Sequence, residues 1–398
     1  MSIWESVGSP SFDVEIKNYF NYKNPKRIVC IFVLKYKTRI KKMEKKYYLR
    51  NAIYGGILIL LMFLVYKLRD TENTNDHQTY QVYGKTQGTT YTVKYLAEKG
   101  NNYQMAIDSV LVAFSQSLST YIPDAEISIF NQMENTDSAI VFQNELFYPV
   151  LQTSKEIFEL SQGAFDPTLA PVIRVWGFGE MEEPEKIPSD KIDSLLEFVG
   201  FDKYIVFDKT SLKKTKKYIQ LNFNAIAQGY AVDVVALFLE AKNIKNYMVE
   251  IGGEVRANGK GTDGTGWKIG IDKPIEEQKD NQNTQRQLQA IVTLNNKSLV
   301  TSGNYRKFYI REGKKYPHTI NPKTGYPVTH TLLSATILAN DAITADALGT
   351  ACMVLGKDKA LEMIEKLENT EVFLIYDENG ITKTTMTKGF EEFIQKIE

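Results

Sequence analysis

Thr336-Ile-Leu-Ala-Asn-Asp-Ala-Ile-Thr-Ala-Asp-Ala-Leu-Gly-Thr-Ala-Cys-Met-Val-Leu-Gly356 is the stretch on which the reading of this chain turns. Ser334 to Ala339 is apolar and predicts a strand, and Asn340-Asp341 predicts a turn. From Thr344, taken as the N-cap, the run of Ala345, Ala347, Leu348, Ala351, Met353 and Leu355 predicts a helix. Asp346 and Thr350 are four residues apart and so share one face of it. A carboxylate and a hydroxyl stacked in this way are two oxygen donors suited to a hard cation such as Mg²⁺. The same pair also fits a plainer role, with Asp346 complementing the helix dipole and Thr350 packing. Both readings stand at this point.

Around that stretch, composition narrows the class. The chain has 398 residues, room for two or three domain-sized units or one large domain with extras. Its 48 basic and 48 acidic residues cancel, which argues against nucleic acid as a partner. The two cysteines, Cys30 and Cys352, are too few and too far apart for a disulfide framework or a thiolate metal site. Of the three histidines, His77, His318 and His330, none has a partner at metal-ligand spacing, so zinc is not expected.

The N-terminal region has a different character. Residues 52–66 form an uninterrupted apolar run, preceded by Lys41, Lys42, Lys45, Lys46 and Arg50. A spanning helix needs roughly 20 residues, and Tyr47-Tyr48-Leu49 with Asn51 extends the run toward that length. Basic residues dominate its upstream side, which by the positive-inside rule leaves the N-terminus in the cytoplasm and the remainder outside. No small-x-small cleavage site follows, nor a cysteine that could carry lipid, so an uncleaved signal anchor is expected. The expected organisation is a cytoplasmic lead at 1–50, an anchor at 51–69, a linker at 70–79 and a catalytic domain at 80–398. Residues 1–42 are unlike the rest, and Met43 is a plausible natural start.

Beyond the anchor, strands and helices alternate. Tyr80–Lys85 and Thr89–Tyr95 predict a strand pair joined through Gln87-Gly88. Helices are expected at Met105–Leu118, Glu145–Ser161 and Ser189–Val199, and strands at Tyr204–Phe207 and Tyr218–Phe223 with a basic, solvated turn at Lys213–Lys217 between them. Asp166 precedes a proline, which holds it extended with its carboxylate free to act. Trp176-Gly-Phe-Gly179 sets two aromatics in flexible backbone, either a loop-closing plug or a wall for a flat ring. At Asn224-Ala-Ile-Ala-Gln-Gly-Tyr-Ala231 a strand runs into a helix starting near Gln228, whose exposed amides suit a phosphate. Tyr247–Ile251 is a strand ending in Gly252-Gly253-Glu254, and Trp267–Asp272, Leu288–Leu294 and Ser298–Thr301 are strands. Glu276–Gln287 is polar and aperiodic, predicting a mobile insertion. Glycine and three prolines around His318 predict a rigid loop. After the Thr344 helix come a helix at Lys357–Leu367, strands at Glu371–Tyr376 and Thr382–Thr387, and a closing helix at Phe390–Ile397.

Eight of these segments, in this order, resemble the FAD:protein FMN transferases, the ApbE family. They are Gly84-x-x-x-Gly-Thr-Thr-Tyr, Tyr121-x-Pro-Asp-Ala-Glu-Ile-Ser-x-Phe-Asn, Phe165-Asp-Pro-Thr with Trp176-Gly-Phe-Gly, Asn224-Ala-Ile-Ala-Gln-Gly-Tyr-Ala, Gly252-Gly-Glu, Thr301-Ser-Gly-Asn-Tyr, His318-x-Ile-Asn-Pro-Lys-Thr-Gly and Asp341-Ala-x-Thr-Ala-Asp-Ala-Leu. The resemblance implies an α+β fold, with mixed or antiparallel sheets, flanking helices and two lobes around a flavin cleft. It also implies Mg²⁺-dependent transfer of FMN from FAD to a threonine hydroxyl of a partner membrane flavoprotein, with release of AMP. Asp346 and Thr350 match the family's metal-binding side chains, and the Ala225 carbonyl completes the set. Ser128, Asp166, Trp176, Gln228 and His318 match flavin-site positions.

Three positions depart from the family pattern. Gln87 stands where methionine is common, which alters a flavin or adenine contact. Gln228 stands where lysine is frequent, removing one positive charge near the phosphates. The lipid-bearing cysteine is replaced by the anchor helix. His318 is the expected base or phosphate-orienting group, with Asp346 the alternative base. Two other activities share the motifs: an FAD pyrophosphatase giving FMN and AMP, and a non-catalytic, membrane-tethered flavin carrier.

Overall fold

A computed structural model describes residues 42, 45–65, 77–178, 189–261, 263–274, 287–304, 308–311 and 314–397. The chain divides into two compact units, Met1–Asp76 and His77–Glu398. In the first, α1 (Lys45–Val65) has a mean hydropathy of 1.8 over its most apolar window and is long and apolar enough to cross a membrane. Apart from Lys42, the remainder of the expected lead, anchor end and linker lies outside the described residues, except that His77–Thr79, expected as linker, already begin the first strand.

The second unit is built on an eight-stranded sheet in which every neighbouring pair is antiparallel. In chain order its strands are β1 (His77–Thr86), β2 (Thr89–Glu98), β6 (Tyr247–Ile251), β7 (Glu254–Asn258), β10 (Lys297–Gly303), β13 (Leu332–Ala339), β14 (Glu371–Glu378) and β15 (Ile381–Met386), and they lie side by side in that same order. Short sheets join β3 (Ile140–Val141) with β5 (Ser211–Lys214) and β4 (Ile205–Phe207), and β16 (Ile394–Ile397) with β9 (Leu288–Leu294) and β8 (Trp267–Asp272). A separate hairpin pairs β11 (Phe308–Arg311) with β12 (Lys314–Pro317). The helices are α2 (Gln104–Leu118), α3 (Glu126–Gln132), α4 (Phe147–Leu160), α5 (Ala170–Val175), α6 (Ser189–Leu196), α7 (Phe201–Tyr204), α8 (Ala227–Ala241), α9 (Ala342–Leu355) and α10 (Lys357–Ile364).

The helix that ends the opening stretch, α9, sits at the centre of the largest core. All but three of its 14 residues are buried, and it packs on α8, β10 and β13. A helix apolar all round has to be enclosed in this way, and Gly349 leaves room for the Ser302 side chain. Its start differs from the expected one. The N-cap is Asp341, whose Oδ1 accepts the Thr344 amide at 3.0 Å, so α9 begins two residues before Thr344. The amides of Ala342 and Ile343 are taken by the carboxylate of Asp233 on α8, at 3.0 and 2.8 Å. Three of the orphan donors at this helix end are thereby satisfied, two of them from another helix.

Three other expectations are corrected. Residues 218–223 form no strand: the side chain of Asn131 takes the strand partner's place, accepting the Leu221 amide at 2.7 Å and donating to its carbonyl at 2.9 Å. The closing segment is a 3₁₀ turn, Lys388–Phe393, followed by β16, because β9 offers Ile394–Ile397 a pairing edge. The basic turn is not wholly solvated. Lys214 is fully buried and its ammonium donates to the carbonyls of Asn131 and Ile219 at 3.1 and 2.9 Å, over the ring of Phe130. The expected insertion at 276–287 lies outside the described residues apart from Gln287.

Burial without a counter-charge pushes Lys214 down to about 8 from an ordinary value of 10.5. Between those two values the unfolded chain holds a proton that the folded chain has lost, so stability rises with pH there. Relative to Lys214→Met, the wild-type protein is expected to gain up to about 1.4 kcal/mol of stability per pH unit from pH 8 to 10. Parallel denaturation curves with equal pH slopes for the two proteins would contradict this.

Candidate active site

Two hydrophobic cores meet at a cleft of about 780 Å³, within the range of small-molecule sites. The main core contributes α9 with Asp346, Thr350 and Met353. A smaller core built on Leu169, Val172, Trp176, Ile192 and Ile320 contributes lining through Leu169 and Ile320. These are the two lobes that flank the cleft.

Seven of the nine expected site residues line it: Ser128, Asp166, Ala225, Gln228, His318, Asp346 and Thr350. Asp346 is 6 % exposed, and its Oδ2 accepts the Gly229 amide at 2.9 Å. Burial pushes its carboxyl up to about 7, opposed by that hydrogen bond. The Gly229 amide would, in a regular helix, point to the Ala225 carbonyl. Because it is diverted to Asp346, and Ile226 at the N-cap is non-helical, the Ala225 carbonyl accepts no backbone hydrogen bond among the described residues. Asp346, Thr350 one helical turn on and Ala225, whose carbonyl is outside the helical ladder, therefore line the same cavity. No ion pair reaches Asp346 among the described residues, nor do three His, Cys, Asp or Glu side chains gather there. Such an all-oxygen set with one formal charge fits Mg²⁺ and does not fit a soft metal.

The close crossing of α8 and α9 holds these groups together. A Cβ on Gly229 would lie 2.2 Å from the Ala342 carbonyl oxygen and 2.7 Å from the Asp346 Cβ, so only glycine allows this approach. Asp233, one turn further along α8, clamps the first turn of α9 and pairs with Arg256 of β7 at 2.8 Å, while Arg256 also reaches Glu240 at 3.2 Å. Burial pushes Asp233 up to about 6 against the pull of Arg256 and the two amides. This clamp went unread in the sequence. The one available signal was an aspartate set within the apolar run of α8.

Asp166 is fully engaged locally. It accepts from the Thr168 amide at 2.8 Å, the Thr168 hydroxyl at 2.6 Å and the Phe201 amide at 3.3 Å. Burial pushes it up to about 6 and these bonds pull the other way. It ties the loop before α5 to the start of α7 while lining the cleft. Ser128 donates to the Ser119 carbonyl at 3.3 Å. The ring of His318 meets Phe178 edge-on, with centroids 6.4 Å apart, and both border the cavity.

Gln87 and Trp176 lie elsewhere. Gln87 occupies the β1–β2 turn with φ of 49° and is not among the lining residues. Trp176 is 4 % exposed inside the smaller core, so of the two readings left open for it the loop-closing plug describes its position. Phe178, two residues on, is the aromatic that reaches the cleft. Tyr121, Asn131, Arg174, Asn224, Glu254, Thr301 and Ser302 also line it, and no role was read for them in the sequence.

Comparison with known proteins gives one answer. Residues 87–374 match the model of the ApbE family. A curated FAD:protein FMN transferase of Haemophilus influenzae is 39% identical over 312 residues, 76% of this chain and 88% of that protein. The Vibrio cholerae protein of the same name is 32% identical over 79% of this chain and 92% of its own length. The solved structure of flavin transferase ApbE from Vibrio cholerae superposes with a TM-score of 0.70 at 31% identity, covering 80% of this chain and 99% of that one. The apo flavinyl transferase ApbE of Pseudomonas stutzeri gives 0.71 at 31% identity, with 80% and 98% covered.

Proposed function

Because the chain belongs to the ApbE family, and its relatives bear the name FAD:protein FMN transferase, we propose that it moves FMN from FAD to a threonine hydroxyl of a partner membrane flavoprotein. The threonine oxygen forms a bond to the FMN phosphorus, the bond from that phosphorus to the bridging oxygen breaks, and AMP leaves with the bridging oxygen. The acceptor is a subunit of an electron-transport type of membrane complex. With α1 as anchor and the N-terminus in the cytoplasm, the catalytic unit works on the outer side of the membrane.

The observation that carries this reading is the meeting of Asp346, Thr350 and the Ala225 carbonyl in one cleft. A Mg²⁺ ion held by those three groups would supply a positive charge for the phosphoryl oxygens as negative charge spreads over them. The chain's own residues do the rest. At the start of α8 the Ala227 and Gly229 amides are taken by the Phe223 carbonyl and Asp346, which leaves the Gln228 amide for an anionic group. His318 accepts the threonine proton or orients a phosphate oxygen, and Asp346 is the alternative proton acceptor. The nucleophile comes from the partner, so this protein has to supply only a shaped, charge-complementary site and a base.

A water molecule in place of the threonine would make the same site an FAD pyrophosphatase. Incubating the full chain with FAD, Mg²⁺ and an acceptor flavoprotein subunit separates these activities by mass spectrometry. The expected product is acceptor enlarged by one FMN less one water, with one AMP released per event and no reaction in EDTA. Free FMN and unmodified acceptor would establish the pyrophosphatase. Bound, uncleaved FAD would establish a carrier.

A further inference from the structure

We propose that Trp176 is the positioning residue for His318, fastening both the entry and the turn of the loop that carries it. That loop runs from Tyr316 to Val328 and folds back on itself. The Gly325 amide donates to the Asn321 carbonyl at 2.8 Å, Asn321 to Tyr326 at 2.9 Å, and Val328 to Thr319 at 3.1 Å. These bonds fix the loop's shape and leave its placement against the cleft to outside contacts.

Beside a bond from the Thr319 hydroxyl to Asn304 Oδ1 at 2.6 Å, Trp176 makes such contacts at both ends. Its indole N–H donates to the Gly325 carbonyl at 2.7 Å, a bond across 149 residues. Its ring stacks on Tyr316, two residues before His318, with centroids 6.0 Å apart, and meets Tyr326 edge-on at 5.6 Å. Gly325 has φ of 73° and presses on α6: a Cβ there would come within 2.5 Å of Ile192. The turn is thus seated between the indole and α6, with no slack for the loop to slide. Trp176 does not border the cavity, so its effect on the reaction passes through the loop. A displacement of about 1 Å in a catalytic group can cost as much as about a hundredfold in rate, so a latch of this kind has kinetic weight.

This rests on the reading of His318 as a group that acts in FMN transfer. The test uses the full chain and two readouts. Trp176→Phe keeps a ring in the core and removes the N–H donor; Val172→Ala, in the same core but outside the loop and without a part in its indole bond, controls for general loosening. Trp176→Phe is expected to lower kcat about tenfold with KM for FAD within about twofold, and to add less than about twofold loss in a His318→Ala background. In the free protein it is expected to move the His318 imidazole resonances, which are assignable among three histidines, while Val172→Ala leaves them in place. Unmoved resonances, or losses that multiply fully with His318→Ala, would overturn the proposal. The resonances need no turnover, so they judge the placement of His318 even where the acceptor assay refutes FMN transfer.

Discussion

Asp346→Asn is expected to lower FMN transfer at least about a thousandfold while leaving the protein folded, as expected for loss of a group that holds charge at a phosphoryl site. Asparagine has the shape of aspartate, and its side-chain oxygen can still accept the Gly229 amide now held at 2.9 Å. The crossing of α8 and α9 therefore survives the change, and what is lost is the one formal negative charge among the three oxygen donors. Without it the Thr350 hydroxyl and the Ala225 carbonyl are neutral ligands in competition with water, too weak to hold a divalent ion.

The loss has a signature independent of turnover. A ligand that binds only the folded state stabilises it, by about 2.7 kcal/mol at a hundredfold excess over Kd. Added Mg²⁺ should therefore raise the Tm of the wild-type protein and leave that of Asp346→Asn unchanged. Thr350→Val, which removes one neutral donor, is expected to weaken the Mg²⁺ response about 10–100-fold rather than abolish it. An Asp346→Asn protein with near-normal transfer, or one whose Tm still climbs with Mg²⁺, would remove the metal from this site.

What the sequence revealed and what it hid divide along the range of the interactions. The helix at α9 and its Asp346–Thr350 face were legible because helical periodicity is local. Its first residue was misplaced because Asp341, read as part of a turn, is the cap, and the two amides ahead of Thr344 are held by Asp233, more than a hundred positions away. Lys214 looked like one of several solvated lysines, and only the folded chain brings the carbonyls of Asn131 and Ile219 to its ammonium. Residues 218–223 had a strand's pattern, but a single asparagine side chain took up the backbone groups that define a strand. Trp176 was read as either plug or binding wall, and the choice depends on Gly325, which no spacing rule connects to it. Of the eight segments read in sequence order, seven meet at the cleft, all but Gly84–Tyr91; which side chains enter it and which stand behind it was decided by partners distant in the chain.

Gly229→Ala is the second large effect, and two principles give it opposite signs. In an exposed helix interior alanine is favoured over glycine by about 1 kcal/mol, so propensity alone expects a more stable protein. Packing expects the reverse, because the new Cβ would lie 2.2 Å from the Ala342 carbonyl oxygen and 2.7 Å from its carbon. That backbone cannot step aside cheaply: the Ala342 and Ile343 amides are fastened to Asp233 on the same helix that carries Gly229. Relief requires α8 and α9 to part, which strains the Asp233 clamp and the Gly229–Asp346 hydrogen bond and draws Asp346 away from Ala225. Overpacking of about 1–3 kcal/mol plus a weakened buried hydrogen bond outweighs the propensity gain, so a net loss of about 2–3 kcal/mol is expected. The Mg²⁺-induced rise in Tm should disappear with it. Gly349→Ala on α9 calibrates the result, since its Cβ meets the Ser302 hydroxyl at 2.7 Å, a side-chain end that can rotate away, and should cost less. If Gly229→Ala melts at or above the wild-type temperature with its Mg²⁺ response intact, the helix crossing does not hold the metal-binding groups in place.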